Sequence, residues 1–229
     1  MVVDSYRKEI GRKVVHIFAL GYLAVYFVFA VSFSHRAALL ILTGMLVVVI
    51  FLEYIRLQLQ LDIPLLKFLY TFRRRSEADS VGGELYLMLG VLVSLAVFEM
   101  SIAVAAVLMT VFGDVTAALV GRKFGRIRPQ VFGGKKSLEG AAAGLLVNLV
   151  IGFLILRTSA EGSLWWHGAV QGTTCLDISF GHTLWPVAVV MALVATIVEL
   201  TISKINDNLT IPVISGFAGQ VAMMLTAAA

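Results

Sequence analysis

Three stretches place chemistry-bearing side chains inside or beside strongly apolar sequence. In FGDVTAALVGRKFG, Phe112 to Gly125, Asp114 interrupts a run that otherwise reads as a membrane helix, and a basic loop with two glycines follows. In FGGKKSLEG, Phe132 to Gly140, glycines lead into Lys135 and Lys136; Ser137 stands where it can cap the next helix, with Glu139 in the first turn. In ELTISKINDNLTIP, Glu199 to Pro212, Glu199 closes one apolar run and Asp207 with Asn208 precedes the next. An ionisable group within a span is costly and turns toward a bundle interior or a wet cavity. Clustered carboxylates repel one another unless a cation or Arg and Lys side chains neutralise them. Oxygen ligands with phosphate close by suit magnesium. Lysines beside a helix N-terminus suit an anion, and glycine turns can cradle one with backbone N–H groups. Together the three stretches imply a cavity for a magnesium-bound, phosphorylated compound.

The elements that must position these groups are helices in a bilayer. The chain has 229 residues, 59% hydrophobic and 14% charged, with a mean hydropathy of +0.94. Soluble domains carry about 25% charged residues, so the composition is that of an all-α, polytopic membrane helix bundle forming a single domain over 1–229. Seven spans are expected, at Val14–Phe33, Ala37–Leu57, Val81–Phe98, Ser101–Val120, Leu138–Leu156, Leu184–Leu200 and Leu209–Ala228. The first is too apolar over too great a length for a cleaved leader.

Charge orients the bundle. Sixteen of the 18 basic residues fall before span one or in the loops after spans two, four and six; only Arg36 and Arg157 fall on the other side. The positive-inside rule then places the N-terminus and those loops in the cytoplasm. Trp165, Trp166 and Trp185 flank the long outer loop as an aromatic belt would, and the lone Cys175 excludes an intrachain disulfide. The net charge of +4 follows from this bias and calls for no nucleic-acid partner. Glu53, Glu84, Asp114, Glu139, Glu199 and Asp207 all map toward the cytoplasmic ends of their spans, Asp114 about 10 Å inside. Glu99, Glu161 and Asp177 fall in loops away from that face.

Gly113, Ala117 and Gly121 recur every four residues and let another helix approach closely, with Asp114 on the adjoining stripe. Plainer roles compete for some residues. Ser137 and Glu139 read equally as a cap and a first-turn acid. Glu53 with Arg56, and RRRSE at 73–77, read as helix-end ion pairs and topology determinants. Glu9, Arg12 and His16 share a helix face and read as interfacial polar groups.

GDVTAALVGRKFG followed by KKSLEG resembles the shared core of CTP-using lipid enzymes, the phosphatidate cytidylyltransferases and the dolichol kinase family. DNLTIPVISG after an upstream Glu, RKVVH near the N-terminus and the E-x-x-R ending span two resemble the branch of dolichol, phytol and CTP-dependent diacylglycerol kinases. The cytidylyltransferases' C-terminal KD…PGHGG…DR signature is not in the sequence. The resemblance covers about residues 9 to 219. It implies transfer of the γ-phosphate of CTP to a membrane lipid alcohol, a polyprenol or dolichol, phytol or diacylglycerol, giving a lipid monophosphate and CDP with magnesium. It further implies Asp114 and Asp207 at the metal; Lys135, Lys136 and the Ser137 helix start at the triphosphate, with Arg122, Lys123 and Asn208 near it; and Glu199 or Glu139 taking the hydroxyl proton. The rival activities are nucleotidyl transfer to a lipid phosphate, which releases pyrophosphate, and transport, which would place charges near the midplane.

Overall fold

A computed structural model describes residues 19–59, 81–129, 136–160, 184–201 and 206–227. The N-terminal motif with Glu9, Arg12 and His16, the basic run at 73–77, Lys135, Trp165, Trp166 and Cys175 lie outside the described residues. Among the described residues the chain is all-helical, with seven helices and no strand. They are α1 (Ala19–Ser32), α2 (His35–Leu59), α3 (Gly83–Val97), α4 (Met100–Lys123), α5 (Leu138–Ala160), α6 (Trp185–Thr201) and α7 (Asp207–Ala227).

Each helix falls on an expected span, with ends shifted by a few residues. At the starts of α4 and α7 the bounds are set by capping chemistry that hydropathy does not register. Asn206 caps α7: its side-chain oxygen accepts from the Asn208 N–H at 3.1 Å, and its carbonyl from Leu209 and Thr210. The helix therefore opens at Asp207 rather than Leu209, and Pro212 is its sixth residue. Glu99 caps α4 by accepting from the N–H groups of Ser101 at 2.8 Å and Ile102 at 3.2 Å. Four helices are long and apolar enough to cross a bilayer, α2, α4, α5 and α7; α1, α3 and α6 are apolar but shorter.

The central helix is α4, whose first eight residues are all buried, and it touches α3, α5, α6 and α7. Its Ile102, Val107 and Met109 belong to the same buried core cluster as Leu95, Leu156, Met191 and Met223. Outward faces stay apolar, with Leu40, Val47 and Phe51 on α2 and Leu146, Phe153 and Leu154 on α5 exposed, as lipid-facing surfaces are.

One feature of α4 breaks the expected periodicity. Met109–Gly113 is a π-helical turn, immediately before Asp114. Such a turn adds one residue, so everything beyond it is rotated about 100° relative to a continuous α-helix. The rotated half presents the expected seam. Gly113, Ala117 and Gly121 meet Asn148, Gly144 and Gly140 of α5 in antiparallel order. The helices approach so closely that a Cβ at Gly140 would lie 2.5 Å from the Ala117 carbonyl oxygen and 2.9 Å from the Gly121 Cα. A second close approach joins α3 to α7. Pro212 has no N–H to offer the Asn208 carbonyl four residues earlier, and a Cβ at Gly90 would sit 2.7 Å from that oxygen.

Candidate active site

Six helix ends are tied together at one end of the bundle by polar contacts. At the end of α2, Arg56 Nη2 donates to Glu53 Oε1 at 2.8 Å and Nε to Oε2 at 3.1 Å; Glu53 Oε1 also accepts from the Gly82 N–H at 2.8 Å. Gly82 leads into α3, and the Gly83 carbonyl accepts from Asn208 Nδ2 of α7 at 2.8 Å. Next to Asn208, Asp207 Oδ2 pairs with Lys136 Nζ at 2.9 Å. Lys136 Nζ also donates to the backbone carbonyl of Glu199, at the end of α6. Lys136 precedes α5, where Ser137 Oγ accepts from the Gly140 N–H at 3.1 Å. Ser137 also lies against the end of α4, 2.7 Å from where a Cβ on Gly121 would be. The convergence agrees with the span order read from the sequence, which sent these ends to one face.

Lys136 is the centre of this end. Its side chain and that of Asp207 are 30% and 29% exposed, so the pair is accessible yet partly desolvated. Glu199 is buried, and its Oε2 lies 3.7 Å from where a Cβ on Gly144 would be. The Gly113 carbonyl lies 3.3 Å from the same point, so the turn that carries Asp114 and the Glu199 carboxylate converge on Gly144. Asp114 itself opens the helical segment after the π turn and is partly buried. Of the expected site residues, Lys136, Asp207 and Glu199 are thus in one cluster, with the Asp114 turn alongside.

Other candidates have different employment. Both Glu139 oxygens face the loop after α4: Oε1 accepts from the N–H of Arg126 at 2.9 Å and of Ile127 at 3.0 Å, and Oε2 from Ile127 at 3.3 Å. The Phe124 and Gly125 N–H groups go to the carbonyls of Val120 and Gly121. All four amides from Phe124 to Ile127 are therefore taken up within the protein. At the start of α5 two amides are also taken: the Leu138 N–H donates to the Ile127 carbonyl and the Gly140 N–H to Ser137. Arg122 and Lys123 are exposed in the last turn of α4, Lys123 with its Nζ 5.2 Å from the Phe124 ring centroid. Asn208 braces α3 through Gly83.

The sequence reading missed Asn148. It is 1% exposed, in the middle of α5, with Nδ2 donating to Thr196 Oγ1 of α6 at 3.3 Å. The available signal was an amide inside the apolar run GLLVNLVIG.

The site and the bundle define an integral membrane protein with a cation–carboxylate cluster at one end. Comparison with known proteins narrows this class. The chain is 26% identical over 223 residues to CTP-dependent diacylglycerol kinase 1 of Saccharomyces cerevisiae, covering 91% of this chain and 71% of that protein. It is 41% identical over 68 residues to CTP-dependent diacylglycerol kinase 1 of Schizosaccharomyces pombe, covering 30% of this chain and 31% of that protein. These similarities agree with the resemblance to the dolichol, phytol and CTP-dependent diacylglycerol kinases. No protein-family model matches the chain, and no solved structure does.

Proposed function

We propose that the protein is a CTP-dependent lipid kinase whose polar end faces the cytoplasm. The observation that carries the reading is the Lys136 ammonium held between Asp207 and the end of α6, in a chain alignable over most of its length with a CTP-dependent diacylglycerol kinase. Phosphoryl transfer asks a protein mainly to position its reactants and neutralise charge. Lys136, which already binds an anionic oxygen, is the group that meets the triphosphate, with Arg122, Lys123 and Lys135 as further candidate cations for it.

The hydroxyl oxygen of the lipid attacks the γ-phosphorus. A new P–O bond forms, the bond to the β-phosphate oxygen breaks, and CDP leaves. Glu199 takes the hydroxyl proton, because it is buried beside the seam whereas Glu139 holds the loop. Among the described residues no three His, Cys, Asp or Glu side chains converge as a metal cage. The donor chemistry still fits magnesium, which needs one or two carboxylates when it arrives with phosphates; Asp114 and Asp207 would hold it. Bound there, magnesium would neutralise charge on the transferring phosphate.

Diacylglycerol is the alcohol the relatives' names support. The test supplies purified protein with CTP or ATP labelled at the γ-phosphate, and with diacylglycerol, a polyprenol or phytol. Label in phosphatidate, with CDP as co-product, supports the reading. Pyrophosphate release and a CDP-lipid from phosphatidate would move the activity to nucleotidyl transfer.

A further inference from the structure

Asn148 has a place in the core that span formation does not explain. Its amide orientation is fixed by proton counting. The Thr196 hydroxyl has a single proton, and that proton goes to the Ala192 carbonyl at 2.8 Å. Thr196 Oγ1 can then only accept from Asn148, so Nδ2 faces Thr196 and Oδ1 faces the other way. There it meets Gly113. A Cβ on Gly113 would lie 3.0 Å from Asn148 Cγ, with Oδ1 nearer still. Asn148 Oδ1 is buried and accepts no hydrogen bond from any described residue. A buried amide acceptor in that state is costly, so plain packing would favour an apolar side chain.

The residue it faces closes the π turn, and the next residue is Asp114. We propose that Asn148 is a positioning residue: tethered to α6 through Thr196, it holds Gly113 and the π turn in the register that sets Asp114's rotation about the α4 axis. The contact is a Cα–H to carbonyl approach, which only a glycine admits at this separation. The turn opens with Met109, whose methyl carbon lies 2.9 Å from where a Cβ on Gly152 would be. The element is thus gripped by α5 at two points, with Ala188 of α6 at the second. The catalytic consequence rests on the kinase reading above; the grip on the turn does not.

The full chain is compared with Asn148→Ala, Gly113→Ala and the double variant. Turnover and amide hydrogen exchange across Met109–Asp114 are measured for each. Gly113→Ala alone lowers kcat about 100-fold, the scale of a small misplacement of a reacting group. Asn148→Ala lowers kcat about tenfold and leaves the KM for the lipid unchanged, a split that general destabilisation would not produce. The double variant, in which the lost amide leaves room for the new methyl, regains at least about tenfold over Gly113→Ala. Exchange is faster in both single variants and slower again in the double. A double variant no better than Gly113→Ala, or an Asn148→Ala protein with unchanged kcat, overturns the proposal. Should the parent protein phosphorylate no lipid alcohol, the kinase reading fails, and exchange alone decides whether Asn148 holds the turn. Unchanged exchange in both single variants rejects it.

Discussion

Lys136 and Glu139 lie three residues apart, and the structure assigns them opposite employment. Lys136 reaches across to Asp207 and the end of α6, while Glu139 turns back to the loop after α4. Lys136→Ala is expected to lower kcat/KM by about 10²–10³, as loss of a preorganised charge-stabilising donor does, read from initial rates at saturating lipid. Glu199→Gln removes the proposed proton acceptor and lowers kcat by about 10²–10⁴. Glu139→Gln keeps kcat within about tenfold, since that carboxylate is not placed to take the proton; a reversed order of the two would exchange their roles. The sequence made Asp114, Lys136, Glu199 and Asp207 legible because ionisable groups beside apolar runs stand out. It could not separate Glu139 from Glu199, because the difference is which backbone N–H groups lie opposite. Asn148 stayed hidden because its significance is a contact with Gly113, 35 positions earlier in the chain.

At the scale of elements, the α4–α5 seam and the α2–α3 junction make separable claims. A methyl at Gly140 would run into the α4 backbone, which cannot turn aside, so Gly140→Ala should destabilise the protein by about 1–3 kcal/mol. Gly44, within α2, would meet nothing within 4 Å, and Gly44→Ala should stabilise by about 0.5–1 kcal/mol through the lower helix cost of alanine. Thermal unfolding in one detergent compares the two directly. Arg56→Ala removes the two-point pairing of a guanidinium with the buried Glu53, and a loss of stability is expected. Glu53→Gln/Arg56→Ala, which removes both charges, should recover part of it. The small-residue stripe at Gly113, Ala117 and Gly121 was readable because it starts at the last residue of the π turn and runs on through regular α-helix. The turn itself was not, since an inserted residue leaves the apolar composition unchanged and shifts only the phase between two helical halves.

For the whole molecule, the helix order and the meeting of six helix ends follow from alternating span direction, which the sequence already carried. Glycines around the Phe124–Ile127 loop suggest that its amides could meet an anion, and the sequence did not show that Glu139 and the α4 carbonyls hold those amides. Sidedness gives its own prediction. In sealed vesicles, a membrane-impermeant maleimide should label Cys175 from the outer side and, in a Cys175→Ser background, Lys123→Cys from the cytoplasmic side. Labelling of both from one side would contradict the topology. The most direct test of the central claim is transfer of label from γ-labelled CTP to diacylglycerol by the purified protein, beside Lys136→Ala and Asp207→Asn. Labelled phosphatidate from the parent protein, falling by at least about 100-fold in both variants, is the predicted result. Equal transfer by all three proteins would contradict the assignment of chemistry to this end of the bundle, and none from the parent would contradict the kinase reading itself.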